Sequence, residues 1–244
     1  MIKLVNDDCF LAMNDIECES VDFIFTDPPY GMTTRNKWDV DIPLDKMWEQ
    51  FNRIIKPNGC IAIFGLPPFS FNVAMANKKF FRYEWICEKT QPVGYLNANK
   101  MPMRTHENLL IFYKHLPTYN PQKTTGHNRK VSLAKHKAGS RESTNYGHHK
   151  FEDYDSTERF PRDVITFNWG GDHSEIYHPT QKPLEACEYF IKTYTNEGMV
   201  VLDPFMGSGT TGLACKNLNR DFIGIEINKE YFDVANNRIN NYEI

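Results

Sequence analysis

The segment Asp27–Tyr30 (Asp-Pro-Pro-Tyr) places a carboxylate, a prolyl carbonyl and an aromatic ring side by side, directly after an apolar run. The adjacent prolines Pro28 and Pro29 restrict the backbone and expose the Pro28 carbonyl. Asp27 and that carbonyl can accept the two hydrogens of an exocyclic amine while Tyr30 stacks on the ring that carries it. The segment therefore predicts a receptor for a planar ring bearing an amine. A rigid surface turn is the alternative.

A second group of residues, at 200–226, has the order strand, glycine-rich turn, helix, strand and acid. Gly207, Gly209 and Gly212 fit the pattern G-x-G-x-x-G, and Glu226 follows Gly207 by 19 positions. Such glycines let the backbone approach a ligand closely, and the acid accepts hydrogen bonds from ribose hydroxyls. The pattern predicts a cofactor that contains a ribose, either NAD or S-adenosylmethionine. An ordinary tight turn is the alternative without a ligand.

Apolar segments with strand and helix periods surround both groups. Residues 44–55 carry an apolar stripe at helical spacing, and the Lys-Pro-Asn-Gly sequence at 56–59 is expected to end that helix. The other expected elements are strands at 2–5, 21–25, 60–64, 82–88, 108–113, 199–203 and 222–226, and helices at 10–13, 69–79, 183–195, 210–217 and 229–240. Strands separated by helices predict an α/β fold with a mainly parallel sheet.

The charge of the chain is unevenly distributed. From Lys114 to Lys150 there are eight Lys or Arg residues and one acid, Glu142, so this segment carries +7 and the rest −10, against −3 overall. Between residues 116 and about 162, apolar residues also no longer recur with the period of a strand or a helix. A basic segment with few aliphatic residues is typical of an insertion that contacts phosphates, and a solvated loop is the alternative.

Composition excludes several classes of protein. The 244 residues are 41% hydrophobic and 14% aromatic, enough for a large core. No apolar run approaches the roughly 18 residues of a membrane span, and the first residues lack a signal peptide's apolar core. Six scattered cysteines without a C-x-x-C pair indicate core residues in a reducing cytoplasm, and the histidines form no metal-ligand pattern.

The two motifs, in this order and with a basic segment between them, resemble the β-class amino-group DNA methyltransferases. The resemblance implies a Rossmann-like, S-adenosylmethionine-dependent methyltransferase fold with helices on both faces of the sheet and a permuted motif order. It also implies a catalytic half at 1–115, a target-recognition insertion at 116–165 and a cofactor-binding half at 166–244. The chain is expected to be a cytoplasmic enzyme, encoded by a bacterium or a phage.

The resemblance also assigns roles to residues. It places Asp203, Phe205, Gly207 and Gly209 around the methionine part of S-adenosylmethionine and Glu226 on its ribose. Further cofactor contacts are expected from Asp8 and Cys9 at the adenine, from Thr180 and Lys182 at the carboxylate, and from Asp27. Residues 31–39 resemble the mobile loop that follows the catalytic motif. The residues expected to contact DNA are Lys123, Arg129, Lys130, Lys135, Lys137 and Arg141.

The implied reaction is direct in-line methyl transfer to the exocyclic nitrogen of a base flipped out of duplex DNA. The catalytic residues would be Asp27, Pro28, Pro29 and Tyr30. In the family Asp-Pro-Pro-Tyr usually accompanies adenine N6 methylation, whereas Ser-Pro-Pro-Tyr is more often found with cytosine N4 methylation, so adenine is expected. A homodimer and a separate restriction endonuclease are expected partners. The alternatives are a cytosine N4 enzyme, an NAD-dependent oxidoreductase, a DNA-binding module without catalysis, and methylation of RNA or protein.

Overall fold

The computed structural model describes residues 1–33, 36, 39–134, 152–169, 177 and 181–241. These residues form ten strands: β1 (Ile2–Val5), β2 (Val21–Thr26), β3 (Ile55–Gly65), β4 (Phe81–Val93), β5 (Arg104–Phe112), β6 (Lys130–Ser132), β7 (Tyr154–Ser156), β8 (Val164–Phe167), β9 (Val200–Asp203) and β10 (Asp221–Ile225). They also form six α-helices: α1 (Cys9–Asn14), α2 (Leu44–Ile54), α3 (Phe69–Ala76), α4 (Leu184–Tyr194), α5 (Thr210–Asn217) and α6 (Lys229–Asn241), with a 3₁₀ turn at Tyr95–Asn97.

Eight strands form one sheet in the order β1-β10-β9-β2-β3-β5-β4-β8. The first five are parallel to one another, β5 is antiparallel to both of its neighbours, and β8 is parallel to β4. The carboxyl ends of β2, β3, β9 and β10 therefore share one edge of the sheet, and the amino end of β5 lies at that same edge. This confirms the expected mainly parallel α/β sheet.

Helices cover both faces of the sheet, because successive side chains of each central strand point to opposite sides. On β2, Phe23 and Phe25 belong to one apolar cluster and Ile24 to the other. The first cluster includes Phe190 of α4 together with residues of α5 and α6. The second includes Phe51 of α2 together with residues of α1 and α3. The apolar stripes of the helices thus form the two layers that hold the sheet.

The expected end of the second helix is wrong by one residue, and the expected turn after it belongs to a strand. Ile55 has an extended backbone and pairs with Val21 as the first residue of β3. The next pair is Phe23 with Cys60, so the register shifts and residues 56–59 form an irregularity within the strand. A bulge tolerates Pro57, which cannot donate a ladder hydrogen bond.

The other expected elements are present, and the structure adds four that the sequence analysis missed. The strands expected at 82–88 and 108–113 are longer, because β4 and β5 continue into a hairpin. The missed elements are the 3₁₀ turn and the short strands β6, β7 and β8. Three or four residues are too few to show a period, so only pairing with another strand defines these segments.

The chain divides into two compact units, one formed by 1–120 with 163–244 and the other by 121–162. In the smaller unit β6 pairs antiparallel with β7, and Thr124 bridges Arg159. Several residues singled out from the sequence lie outside the described residues: Thr180, Lys135, Lys137 and Arg141, and the histidines at 148, 149, 173 and 178. Among the described helices, none has the length and apolarity needed to cross a membrane.

Candidate active site

The carboxyl ends of three neighbouring parallel strands bring the two sequence motifs together. β2 leads into Asp27, β9 ends at Asp203, and β10 leads into Glu226. A side-chain hydrogen bond joins the motifs, since the Thr26 hydroxyl donates to Asp203 Oδ1 at 2.8 Å. Ligands of open α/β sheets bind beyond the carboxyl ends of the strands, so this edge is the expected position for a site.

One pocket at this edge is lined by residues of both motifs. Its empty volume, counting space open to solvent, is about 490 Å³, a size that suits a small-molecule ligand. Its polar lining includes Asp27, Lys182, Asp203, Ser208, Thr210 and Thr211, and its apolar lining includes Phe25, Phe64, Phe205 and Met206. Asp27 of the predicted amine receptor and Gly207 of the glycine turn therefore face the same space.

Tyr30 is fixed at both ends of its side chain. Its hydroxyl donates to Asp27 Oδ1 at 2.5 Å, and its ring stacks on Phe69 with the centroids 4.9 Å apart. Burial, reinforced by the Asp27 charge, raises the pKa of Tyr30 well above its usual value, so the hydroxyl stays a donor. The hydroxyl is thus directed at Asp27, while the ring packs on Phe69, which follows β3.

Asp39 shapes the turn that follows Tyr30, a role that the sequence analysis did not assign. Asp39 Oδ1 accepts from the backbone N–H groups of Tyr30 and Gly31, and Oδ2 from those of Met32 and Thr33. Burial alone would raise the pKa of Asp39, but these hydrogen bonds lower it. A carboxylate that accepts four backbone donors stabilises the backbone immediately after the Asp-Pro-Pro-Tyr segment.

Lys182 lies against Asp27, although the sequence analysis assigned it to the cofactor carboxylate. Its buried ammonium donates to Asp27 Oδ2 and lies 3.2 Å from Glu107 Oε2. Lys89 donates to the other oxygen of Glu107 at 2.5 Å. We call Lys89, Glu107, Lys182, Asp27 and Tyr30 the Asp27 cluster. Lys89 and Glu107 were not predicted from the sequence. Site residues were expected after the carboxyl ends of parallel strands, whereas Glu107 lies near the amino end of the antiparallel strand β5.

The two carboxylates of the Asp27 cluster have pKa shifts of opposite direction. Burial alone would raise the pKa of Glu107, but the Lys182 and Lys89 ammonium groups lower it to about 2. Burial raises the pKa of Asp27, and Lys182 opposes that rise. Lys182 keeps its proton, since Asp27 and Glu107 raise its pKa in spite of burial. Four formal charges alternate in sign along this cluster and sum to zero.

The glycine turn needs positive backbone φ angles at two positions. Gly207 has φ +51° and Gly209, which caps the amino end of α5, has φ +81°. A Cβ on Gly209 would lie 2.8 Å from the Ala235 Cβ, whereas one on Gly207 would meet nothing within 4 Å. Gly209 therefore allows α5 to pack on α6, and Gly207 leaves the backbone open towards the pocket.

Asp203 is buried and accepts hydrogen bonds from uncharged donors. Its Oδ1 accepts from Thr26 and from the Phe205 backbone N–H, and its Oδ2 accepts from the Thr211 hydroxyl at 2.7 Å. Burial raises the pKa of Asp203 to about 6, although the two hydroxyls stabilise the ionised form. The sequence analysis did not assign roles to Thr26 and Thr211, which orient this carboxylate.

Glu226 closes the glycine turn from the neighbouring strand. Its Oε2 accepts from the Gly207 backbone N–H at 3.0 Å, and its Oε1 accepts from that of Asn228 at 2.8 Å. Burial raises the pKa of Glu226, and these hydrogen bonds oppose the rise. Each oxygen of a carboxylate can accept a second hydrogen bond, so both can still bind a hydroxyl.

The predicted adenine-binding segment lies beside Glu226. Asp8 caps α1 by accepting from the backbone N–H groups of Phe10 and Leu11. Burial, with the Asp8 charge, raises the pKa of the Cys9 thiol to about 12, so this buried thiol is not a nucleophile. Asp203, Phe205 and Gly207 line the pocket. Together with four further residues assigned to the cofactor from the sequence, they make up what we call the glycine-loop cluster: Asp8, Cys9, Asp203, Phe205, Gly207, Gly209 and Glu226.

The glycine-loop cluster carries negative charge that no described cation neutralises. Neither Asp203 nor Glu226 forms an ion pair with any residue in the described part of the chain. Burial disfavours both ionised carboxylates, and a cationic ligand would stabilise them. The cluster therefore fits a ligand with positive charge and a ribose better than it fits a dinucleotide with an anionic pyrophosphate.

In the smaller unit, two of the residues expected to contact DNA are paired with acids. Lys123 lies 3.0 Å from Glu158, and Arg129 donates from Nε to Asp155 at 2.6 Å. Lys130 is the first residue of β6. For metals, a search of the described residues found no group of three or more His, Cys, Asp or Glu side chains able to hold an ion.

A protein family matches most of the chain, and its model is described as DNA methylase. The match covers residues 21–237 and so includes both motifs and the segment between them. The chain belongs to the DNA methylase family. The family assignment agrees with a pocket that is lined by Asp27 of the first motif and by Asp203 and Gly207 of the second.

Individual relatives agree with this assignment. The chain is 31% identical over 251 residues to the type II methyltransferase M.HpaI of Haemophilus parainfluenzae, covering 97% of this chain and 74% of that protein. It is 34% identical over 263 residues to the type II methyltransferase M.BglII of Bacillus subtilis, covering 96% and 67%. The crystal structure of the M1.HpyAVI–SAM complex is 30% identical, with a TM-score of 0.66 and coverage of 98% of this chain and 100% of that one.

These findings confirm the methyltransferase fold, the DNA methyltransferase activity and S-adenosylmethionine as the cofactor. The alternative of an NAD-dependent oxidoreductase is therefore wrong. The roles of individual site residues stay predictions, and so does the division into two halves and an insertion.

Proposed function

We propose that this DNA methylase transfers a methyl group to the exocyclic N6 of an adenine flipped out of duplex DNA. The observation that carries the proposal is the Asp27 carboxylate, held by Tyr30 in the pocket that also contains the glycine turn. When bound, S-adenosylmethionine supplies an electrophilic methyl group on its sulfonium. The choice of adenine rests on the Asp-Pro-Pro-Tyr sequence, which in the resembling family usually accompanies adenine.

The residues of this chain would activate the amine by orienting it. The lone pair of an aromatic amine is delocalised into the ring, so the nitrogen is a poor nucleophile. Hydrogen bonds from the amine to Asp27 and to the Pro28 carbonyl would favour a tetrahedral nitrogen and stabilise the positive charge that develops on it. Pro29 would restrict the turn, and Tyr30 would stack on the flipped base. No covalent intermediate is required, in agreement with the buried Cys9 and Cys187 thiols, whose pKa values burial raises to about 12.

The glycine-loop cluster would hold the cofactor. Asp203 and Glu226 form no ion pair with any described residue, which suits the positive charges of S-adenosylmethionine, and Glu226 can still accept from ribose hydroxyls. Phe205, Gly207 and Gly209 would surround its methionine part, Asp8 and Cys9 its adenine, and Thr180 its carboxylate. Lys182, which the resemblance also places at that carboxylate, is paired with Asp27 and Glu107 in the structure.

The basic segment would contact DNA. We assign the target-recognition role to 116–165, between a catalytic half at 1–115 and a cofactor-binding half at 166–244; the compact unit 121–162 falls within that segment. Lys130, Lys135, Lys137 and Arg141 would bind phosphates, so affinity should fall steeply with salt. A smaller contribution is expected from Lys123 and Arg129, because each is paired with an acid.

Nucleoside analysis of methylated DNA tests the proposal. The protein is incubated with tritiated S-adenosylmethionine and unmethylated genomic DNA, and the digested DNA is examined by mass spectrometry. N6-methyladenine supports the proposal, and sequencing the same DNA then gives the recognition site. N4-methylcytosine would overturn the choice of base. Label in RNA or protein but not in DNA would overturn the substrate.

The proposed assembly is a cytoplasmic homodimer of a bacterial or phage modification enzyme, with any restriction endonuclease acting as a separate protein. Light scattering on the purified protein tests the dimer. A mass of about twice 28.5 kDa supports it, and a monomer at the concentration used in the activity assay contradicts it.

A further inference from the structure

The Lys182 ammonium donates to Asp27 Oδ2, an oxygen that could accept a hydrogen bond from the target amine. Asp27 Oδ1 already accepts from Tyr30 at 2.5 Å, and Oδ2 accepts from the Lys182 ammonium. A strong charged donor on Oδ2 competes with the weaker amine donor of a base. Oδ2 keeps a second lone pair, but the bound ammonium weakens it as an acceptor, so the amine binds Oδ2 most strongly when the ammonium shifts away while staying buried.

Glu107 offers that ammonium a second partner at the required distance. Glu107 Oε2 lies 3.2 Å from Lys182 Nζ and, among the described residues, accepts no hydrogen bond of good geometry. Its other oxygen is held by Lys89 at 2.5 Å, so the carboxylate is anchored from the opposite side. The side chains of Lys89, Glu107 and Lys182 are each about one-tenth exposed, so water screens these charges little.

We propose that Glu107 is a positioning residue for methyl transfer, which holds the Lys182 ammonium beside Asp27 and accepts it when Asp27 binds the target amine. A buried ammonium without a partner is strongly disfavoured, so without Glu107 the ion pair of Lys182 with Asp27 would be difficult to open. With Glu107 present, Lys182 exchanges one carboxylate for another and remains paired. The inference rests on the proposed function, and it does not require Lys182 to contact the cofactor.

The first test is Glu107→Gln, measured by single-turnover methylation with saturating S-adenosylmethionine. The substrate is a short duplex carrying the site mapped from the methylated genomic DNA. We expect the rate to fall about 10- to 100-fold, within the range of coupling between neighbouring charged groups. The dissociation constant for S-adenosylmethionine should change less than about threefold, because the glycine-loop cluster does not include Glu107. Glu107→Asp should recover part of the rate.

A second variant separates positioning from simple charge balance. Glu107→Gln leaves Lys89 buried without its partner, which can destabilise the fold. The double variant Lys89→Met with Glu107→Gln removes both charges and restores neutrality. If Glu107 is a positioning residue, the double variant folds and remains slow. If it only neutralises Lys89, the double variant recovers the wild-type rate, and that result overturns the proposal.

The pH profile separates an effect on Asp27 from a loss of folded enzyme. The charged and titratable groups that face Asp27 are Lys182, Glu107, Tyr30, Asp203 and Cys187. The Glu107 charge raises the pKa of Asp27, so its removal should move the acid limb of the rate to lower pH while the plateau falls. A loss of folded enzyme would lower the plateau and leave the limb in place.

Glu84→Gln is the matched control, because Glu84 is a carboxylate on the adjacent strand that binds Asn108 and contacts no described lysine. It should keep the wild-type rate and pH profile. If the wild-type protein does not methylate DNA, the proposed function fails. If the wild-type protein methylates DNA and Glu107→Gln is equally fast, only this inference fails.

Discussion

Two buried carboxylates, Glu107 in the Asp27 cluster and Asp203 in the glycine-loop cluster, have pKa values shifted in opposite directions. In the Asp27 cluster, Glu107 lies between two lysines, and its pKa falls to about 2. In the glycine-loop cluster, Asp203 is equally buried but accepts only from hydroxyl and backbone donors, and its pKa rises to about 6. Burial alone would raise the pKa of both carboxylates, so the difference comes from their hydrogen-bond and charge partners. The two lysines of Glu107 outweigh its desolvation, whereas the neutral donors of Asp203 do not.

This difference explains what each end of the pocket can bind. The Asp27 cluster sums to zero charge, so it can receive an uncharged base by exchanging hydrogen bonds. The glycine-loop cluster has negative charge without a described cation, so a positively charged cofactor completes it. A neutral substrate and a cationic cofactor can therefore occupy one pocket without competing for the same groups.

The largest expected effect is that of Asp27→Ala. It removes the acceptor for the target amine but leaves the glycine-loop cluster intact, so turnover should fall by about 10³-fold or more. The dissociation constant for S-adenosylmethionine, measured by calorimetry, should stay within about threefold of the wild-type value. Near-normal turnover would show that the Asp27 cluster is not the catalytic end of the pocket.

Gly209→Ala tests whether the glycine-loop cluster depends on backbone shape. The new Cβ would lie 2.8 Å from that of Ala235 at a φ of +81°, so the free energy of unfolding should fall by about 3 kcal/mol or more in urea denaturation. Gly198→Ala is the control, because its φ is +76° but nothing lies within 4 Å. Gly198→Ala should lower the free energy of unfolding by only about 1 kcal/mol, the cost of a left-handed backbone for a residue with a Cβ. Equal losses would mean that packing against α6 is unimportant.

Asp203→Asn tests the pKa contrast between the two ends. Because the folded-state pKa of Asp203 is raised to about 6, its contribution to stability is present below the unfolded value near 4 and is lost as pH rises through 6. The unfolding free energy of wild type minus that of Asp203→Asn should therefore fall by about 2–3 kcal/mol between pH 4 and pH 7. Glu107 has the opposite sign, since its lowered pKa stabilises the fold above pH 4.5 and that contribution is lost towards pH 2. If the difference in unfolding free energy between wild type and Asp203→Asn does not vary with pH, the pKa of Asp203 is not raised.

The smallest effect is expected for Tyr30→Phe, which keeps the stacking on Phe69 and removes only the hydroxyl. That hydrogen bond lowers the pKa of Asp27, so its loss should reduce the rate about tenfold and move the acid limb to higher pH, opposite to Glu107→Gln. Tyr83→Phe, which removes a hydroxyl bonded to Tyr194 outside the pocket, should change neither. An unchanged acid limb for Tyr30→Phe would show that this hydroxyl does not act on Asp27.

The α/β class, most strand and helix positions, the two motifs and the family can all be predicted from the sequence. These features are local: an apolar period over about ten residues, a proline that restricts a turn, or a glycine at positive φ is encoded by neighbouring residues. The family pattern added the order of the motifs, which placed Asp27 and Asp203 at one edge of the sheet before any pairing was known.

Which charged side chains contact one another follows from the tertiary structure alone. Residues 56–59 are predicted as a turn but lie within β3, because Ile55 and Cys60 on either side of them pair with β2. In the sequence, nothing distinguishes Glu107 from other strand residues. It lies at the edge where the parallel strands end because β5 is antiparallel to its neighbours. Lys182 is 155 positions from Asp27, and no local pattern specifies a partner at that separation. Strand order and direction set such contacts, and they depend on the burial of the whole sheet.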